Sequence, residues 1–170
     1  VLILKLAEMG LLDLEDFVWQ HVPEYPSDST KGLIKIKHLL SNESGIAKYT
    51  TCSSGGDTPI DISARDSYIA SHGNYYDPVA AIDHFKDQDL CFTPGSNYHY
   101  STWGYCLLAA VVEKVSGMSY QDFFYNTIVC PMQMPTLQIE FQDRVPYPYE
   151  VSKYKYVSGA SCPTCSTTAS

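Results

Sequence analysis

Phe92-Thr-Pro-Gly-Ser-Asn-Tyr-His-Tyr100-Ser-Thr-Trp-Gly-Tyr-Cys-Leu-Leu-Ala-Ala-Val-Val-Glu-Lys-Val-Ser-Gly117 joins a turn to a helix. Pro94-Gly95 is a turn dipeptide, Pro fixing φ and Gly supplying a positive φ, and it leads into a short aromatic segment that ends at Tyr100. Ser101 or Thr102 can then cap a helix that Gly117 closes in the left-handed conformation. Along it Leu107, Leu108, Val111, Val112 and Val115 recur at i, i+1, i+4, i+5 and i+8, and only Glu113, Lys114 and Ser116 break the pattern. A helix with so broad an apolar face needs cover on most sides. Tyr100 is thereby held at the edge of a rigid core element, where a reactive side chain can be positioned within a fraction of an ångström.

At 170 residues the chain is long enough for one domain with a sizeable core, or is a piece of a larger one. Its 11 Lys and Arg against 19 Asp and Glu give a formal charge of −8, and no run of like charge concentrates the excess. The electrostatic footprint of a nucleic-acid binder is therefore missing. The apolar run Cys106 to Val112 is far too short to span a bilayer, and no basic segment followed by an apolar one opens the chain. Position 1 is Val, so either residues were removed or the chain is a fragment.

No cofactor and no metal are expected. Cys162-Pro-Thr-Cys165 has redox or zinc spacing, yet zinc requires a second pair of ligands and none is placed nearby. The remaining cysteines are Cys52, Cys91, Cys106 and Cys130. In a chain of this length with no visible secretory signal, free thiols are favoured over a disulfide framework, and Cys106 reads as a small core hydrophobe.

From the beginning, Val1 to Met9 reads as helix, with Leu2, Ile3, Leu6, Ala7 and Met9 apolar and Gly10 just past its end. No Ser, Thr, Asp or Asn precedes the pattern, so the helix enters already in progress and natural sequence upstream is expected. Leu11 to Asp16 reads as a turn carrying two buried leucines, and Pro23 and Pro26 mark a loop. Ile34 and Ile36 alternate with Lys35 and Lys37 before His38-Leu-Leu-Ser41 turns helical. His38 is expected to be a hydrogen-bonded structural histidine rather than a ligand. Asn42-Glu-Ser44 matches a glycosylation sequon, a signal too common to assign a compartment. Tyr49 to Pro59 reads as an exposed loop and Asp61 to Ala70 as a short helix. Asp77-Pro78 predicts a capped helix that buries Val79, Ile82 and Phe85. Ser119-x-x-Asp122 is a capping-box pattern for a further helix with Tyr120, Phe123, Phe124, Thr127 and Ile128 on one side, stopped by Pro131. Tyr147 to Val157 alternates aromatics as a strand does, and residues 158–170 read as a small, polar, disordered tail.

Taken in order, Lys5-Leu-Ala-Glu-Met-Gly-Leu-Leu-Asp-Leu-Glu-Asp16, Ile34-Lys-Ile-Lys-His-Leu-Leu-Ser-Asn-Glu-Ser-Gly-Ile46, Phe92-Thr-Pro-Gly95, Tyr100-Ser-Thr-Trp-Gly-Tyr105 and Val112-Glu-Lys-Val-Ser-Gly-Met-Ser-Tyr120 resemble the serine beta-lactamase-related family. That family includes class C beta-lactamases, penicillin-binding DD-peptidases, esterases and the animal mitochondrial serine beta-lactamase-like proteins. The last group is the nearest match and implies a mitochondrial location. The resemblance runs from about Val1 to Pro135. It implies an α/β (α+β) beta-lactamase/transpeptidase-like fold, an antiparallel sheet flanked by helices, with the strands coming mostly from the two ends of the complete chain. Residues 1–157 would then be a partial domain, mostly the helical subdomain, with strand only near Ile34 and at Tyr147 to Val157.

The resemblance also implies a serine nucleophile in an S-x-x-K motif, a second motif Y-x-N and a third of the K-T-G type, of which only the second falls within this chain. Tyr100 is similar to the family tyrosine that, as a phenolate beside neighbouring lysines, shuttles the nucleophile's proton. Thr102 stands where the family usually has Asn, and a hydroxyl cannot reproduce both ends of an amide. Asn42 stands where many relatives carry His. The S-x-x-K motif is placed on the helix whose last turns are Val1 to Met9, upstream of this chain. Lys114 lies more than three helical turns beyond Tyr100, so no cation of the chain is expected beside the phenol.

Two functions follow. One is a serine hydrolase acting on a small peptide, amide or ester through an acyl-serine intermediate, of which this chain carries Tyr100 and Thr102 but not the nucleophile, leaving it inactive by itself. The other is a non-catalytic scaffold or assembly protein with a beta-lactamase-like shell, for which a homo-oligomer is the natural partner. A disulfide-stapled secreted module is a third reading and requires fewer than six titratable thiols.

Overall fold

The structure is a computed structural model and describes residues 1–28, 30–48, 77–134, 136, 137 and 139. Among them α1 (Leu2–Glu8), α2 (Val18–His21), α3 (Ile36–Leu40), α4 (Thr102–Ser116) and α5 (Tyr120–Phe124) are α-helical. Short 3-10 turns lie at Lys31–Leu33 and Ala80–His84, and a π-helical turn at Tyr125–Val129 prolongs α5.

Helix α4 is the axis of the core, packed against α1, α2, α3, α5 and the 80–84 turn. Trp103, Gly104, Leu107, Leu108, Ala110, Val111 and Val112 are all buried along it. Of the two candidate caps, Ser101 is the one used: its Oγ accepts the Gly104 N–H at 3.1 Å, and Thr102 begins the helix facing solvent. Gly117 ends it with φ of 68°, as the sequence requires of a left-handed C-cap. Removing one inner side chain here, as in Leu107→Ala, would cost about 2–5 kcal/mol through lost transfer energy and the cavity left behind.

The other elements follow local chemistry. Helix α1 buries Leu2, Ile3 and Leu6 and leaves Leu4 outside, and Gly10 follows with φ of 70°. Of the three leucines after it, Leu12 is buried and Leu14 packs against the core, while Leu11 is exposed. Helix α2 is too short to show periodicity; Gln20 Oε1 accepts the Phe17 N–H at 2.7 Å and starts it. Asp77 Oδ1 accepts the N–H groups of Val79 and Ala80, and the capped segment runs as a 3-10 turn that buries Ile82 and Phe85. Phe85 stacks on Trp103 with ring centroids 5.2 Å apart, tying this turn to α4. Ser119 Oγ accepts the Asp122 N–H at 3.0 Å and starts α5, whose Phe123 is buried with Tyr120, Phe124 and Ile128 packed beside it.

Two expectations are corrected. No strand forms near Ile34: among the described residues the extended pairing is a single bridge between Phe17 and Lys35. Ile34 and Ile36 are both buried, as their alternation demands, but Ile34 closes a turn on Lys31 and Ile36 already opens α3, so the extended run is only the two residues Ile34 and Lys35. The preference for free thiols also fails in part. Cys91 and Cys130 are disulfide-bonded. Both are half-buried residues in or at the edge of turns, where a bridge is sterically open, and chain length carries no information about that. Cys106 is free and packs against the core, where burial pushes its thiol up to about 11.

The loop at Tyr49 to Pro59, the helix at Asp61 to Ala70, the strand at Tyr147 to Val157, the tail 158–170 and the Cys162–Cys165 pair lie outside the described residues. Among the described residues no helix is long and apolar enough to cross a membrane. Among the described residues, the helical packing on α4 with a single extended bridge is what the helical part of a beta-lactamase/transpeptidase-like fold requires.

Candidate active site

Two stretches, 42–48 and 91–102, are fastened to each other and carry the site. Three backbone bonds join them: Cys91 N–H to the Gly45 carbonyl at 2.7 Å, Gly95 N–H to Glu43 at 2.8 Å and His99 N–H to Asn42 at 2.9 Å. The approach is so close at Gly45, φ 80°, that a Cβ there would lie 2.4 Å from the Phe92 carbonyl oxygen. The Pro94-Gly95 turn forms as expected, with Ser96 N–H on the Thr93 carbonyl at 3.0 Å and Gly95 at φ 81° against the His38 ring. His38 is structural. Its Nδ1 accepts the Lys35 N–H at 3.2 Å, and burial, with Lys37 next in weight, holds its pKa below the ordinary value.

Side chains lock the same two stretches. Asn42, with φ of 60°, turns its Oδ1 to the Ser101 N–H at 3.2 Å. Ser101 is buried, and besides capping α4 its Oγ donates to the Ala47 carbonyl at 3.1 Å. Tyr105, one turn into α4, donates its hydroxyl to the Leu40 carbonyl at 3.1 Å. The bond from Ser101 N–H to its side chain gives Asn42 a definite structural part.

Tyr100 and Thr102 flank the buried Ser101 and both face solvent, so the extended backbone before α4 presents them together while anchoring the residue between them. Tyr100 is 49% exposed, and its hydroxyl makes no hydrogen bond with the described residues. A cation does reach it. Lys48 Nζ lies 5.2 Å from the centroid of the Tyr100 ring, a contact worth about 0.5–1 kcal/mol at an exposed site. This corrects the expectation that the chain supplies none. Lys114 is remote, as its place on α4 implies, and pairs with Glu24. Lys48 escapes sequence reasoning because it comes from another stretch; its one local signal is that it directly follows the buried run Ser44 to Ala47.

One serine does have a lysine three residues on, Ser152 with Lys155. The pair follows Tyr100 in the chain, the reverse of the order the resemblance implies for S-x-x-K, and lies outside the described residues. Among the described residues no group of three His, Cys, Asp or Glu side chains could hold a metal ion.

Comparison with known proteins addresses the family of the chain. The family described as Beta-lactamase matches residues 1–160. Protein flp of Staphylococcus aureus (strain COL) is 32% identical over 134 residues, covering 78% of this chain and 24% of that protein. Penicillin-binding protein 4* of Bacillus subtilis (strain 168) is 29% identical over 158 residues, covering 91% of this chain and 30% of that protein. This chain therefore spans about a quarter to a third of the length of these curated relatives. Among solved structures, the octameric penicillin-binding protein homologue from Pyrococcus abyssi superposes with a TM-score of 0.55 at 28% identity, over 78% of this chain and 28% of that one. The match across residues 1–160 shows that the chain belongs to the Beta-lactamase family.

Proposed function

We propose that this chain is the helical, tyrosine-bearing part of a serine hydrolase that cleaves a small peptide, amide or ester through an acyl-serine intermediate, with Tyr100 moving the nucleophile's proton. The observation that supports this reading is the placement of Tyr100: a half-exposed phenol whose hydroxyl is unengaged among the described residues, standing next to a buried serine that is bonded on both sides. A general base needs that combination of open face and fixed backbone. Thr102 offers one further hydroxyl at the same mouth. On this reading the serine and lysine of the nucleophile motif precede α1, residues 1–157 are a partial domain, and the 170 residues alone perform no acyl transfer.

A covalent serine-directed probe read by intact mass tests it. An extended protein that includes the sequence upstream of Val1 takes up one label, and the present chain takes up none. Labelling of the present chain at a single serine overturns the reading, as does an extended protein whose labelling is indifferent to Tyr100→Phe.

A second reading is supported by Thr102 standing where an amide is usual and by the exposed apolar side chains Val1, Leu4, Met9 and Leu11. It is a non-catalytic scaffold that self-associates through that face, and the Pyrococcus homologue is itself octameric. An extended protein that resists the probe yet sediments as a fixed oligomer would favour this reading.

A further inference from the structure

Helix α3 ends against the segment that carries Tyr100, and the way it ends involves that segment. Past Leu40 the chain turns through Asn42, whose N–H reaches the Leu39 carbonyl at 3.3 Å while Glu43 N–H reaches the His38 carbonyl at 2.7 Å. This pair of bonds places Asn42 at the left-handed position of a helix stop, with φ of 60°. Glycine takes such a position most readily, because a Cβ there is strained. Asn42 carries a Cβ there nonetheless, and its side chain is in use. Its Oδ1 accepts the Ser101 N–H at 3.2 Å, while its backbone carbonyl accepts the His99 N–H at 2.9 Å. One residue therefore holds the amides on either side of Tyr100.

The anchor behind this bracket is firm. Helix α3 packs on α4, and the Tyr105 hydroxyl donates from α4 to the Leu40 carbonyl at 3.1 Å. Ser101 is buried, caps α4 and donates its Oγ to the Ala47 carbonyl. Tyr100 itself is 49% exposed, so the direction of its phenol is set chiefly through the backbone that carries it. A bond on one side would let the Tyr100 backbone twist about that point; a bond on each side, both to one residue, opposes the twist.

We propose that Asn42 is a positioning residue for Tyr100: by holding the His99 and Ser101 amides at once, it fixes the direction in which the phenol is presented. This deepens the hydrolase reading and rests on it for what the phenol does, while the bracket is a property of the described residues. Asn42 reaches no reacting atom. Its effect on rate is through geometry, since a general base must stand within hydrogen-bond reach of the proton it takes, and small misplacements of such a group are costly.

The first test uses the 170-residue chain, isotope-labelled and followed by NMR well below the melting temperature of each variant. Asn42→Gly keeps the left-handed turn and the carbonyl that holds His99, but has no acceptor for Ser101. Asn42→Asp keeps both acceptors and tolerates the same conformation. In Asn42→Gly the Ser101 amide should exchange with solvent about fivefold faster, the worth of one hydrogen bond, with His99 affected less. Cross-relaxation between Lys48 and the Tyr100 ring, 5.2 Å from Nζ to centroid, should weaken, while the buried Tyr25 ring stays unmoved. Asn42→Asp should match the unaltered chain on every count. The second test uses an extended protein that takes the serine label: Asn42→Gly should lower kcat about tenfold with KM unchanged, and Asn42→Asp, at its own pH optimum, should recover it. A Tyr100 ring unmoved in Asn42→Gly, a ring moved equally in Asn42→Asp, or turnover indifferent to Asn42→Gly overturns the proposal, as does an effect confined to melting temperature. If no extended protein takes the label, the hydrolase reading falls and the ring contact decides the bracket; if the label is taken and the ring is unmoved, the bracket falls and the hydrolase reading stands.

Discussion

The side-chain carbonyl of Asn42 accepts the backbone N–H of Ser101 at 3.2 Å, and Asn42 makes that reach from the left-handed region of the backbone, φ 60°. Asparagine tolerates this conformation better than other residues with a Cβ, and glycine better still. Asn42→Gly keeps the backbone and loses the bond, an expected cost of about 1 kcal/mol. Asn42→Ala loses the bond and adds roughly 1–2 kcal/mol of left-handed strain. Urea denaturation should therefore rank Asn42 above Gly above Ala, and Ala equal to or above Gly would show that the turn relaxes.

Tyr100→Phe, in an extended protein that takes the serine label, should lower turnover by roughly 10²- to 10⁴-fold, the range for loss of a general base. Thr102→Ala should cost on the order of 1 kcal/mol, one hydrogen bond. Steady-state hydrolysis of an activated ester separates them. Equal effects would move the proton-transfer role away from Tyr100.

Stability should fall in mild acid through His38. Burial, then Lys37, lowers its pKa from 6.5 in the folded chain, so the unfolded chain binds the proton more tightly. The contribution is complete above 6.5 and is lost as pH falls through the lower, folded value. Gln at this position can still accept the Lys35 N–H without titrating. Urea midpoints measured from about pH 8 to pH 5 should converge on those of His38→Gln as the pH drops. Parallel curves would mean that the ring is as free to take a proton when folded.

With Cys91 and Cys130 bonded, the denatured but unreduced chain should release fewer than six thiols to a disulfide-exchange reagent. In the native chain Cys106 should react slowly, its thiol being both packed and raised to about 11. Six thiols without reductant would refute the bridges.

Local chemistry made α4, the Gly117 stop and the Asp77 and Ser119 caps legible, because each depends on residues within a turn of one another. The choice between Ser101 and Thr102 was not legible, since it is decided by the Ala47 carbonyl, which no nearby pattern announces. Two isoleucines in alternation were too few to distinguish a strand from a turn meeting a helix. Tyr100 was singled out through its flanking blocks, but the Lys48 contact joins stretches far apart in sequence that three backbone bonds fasten together.

At Gly45 the missing side chain has a consequence for how this protein can diverge. The space a methyl group would need is filled by the Phe92 carbonyl, so the two stretches cannot be wedged apart by substitution at that point without breaking the Cys91 bond beside it. Variation can recolour the mouth, reversing its charge at Lys48 or enlarging Thr102, but cannot widen it. A library built to give this scaffold new substrates would randomise positions 48 and 102 and leave 45 as glycine.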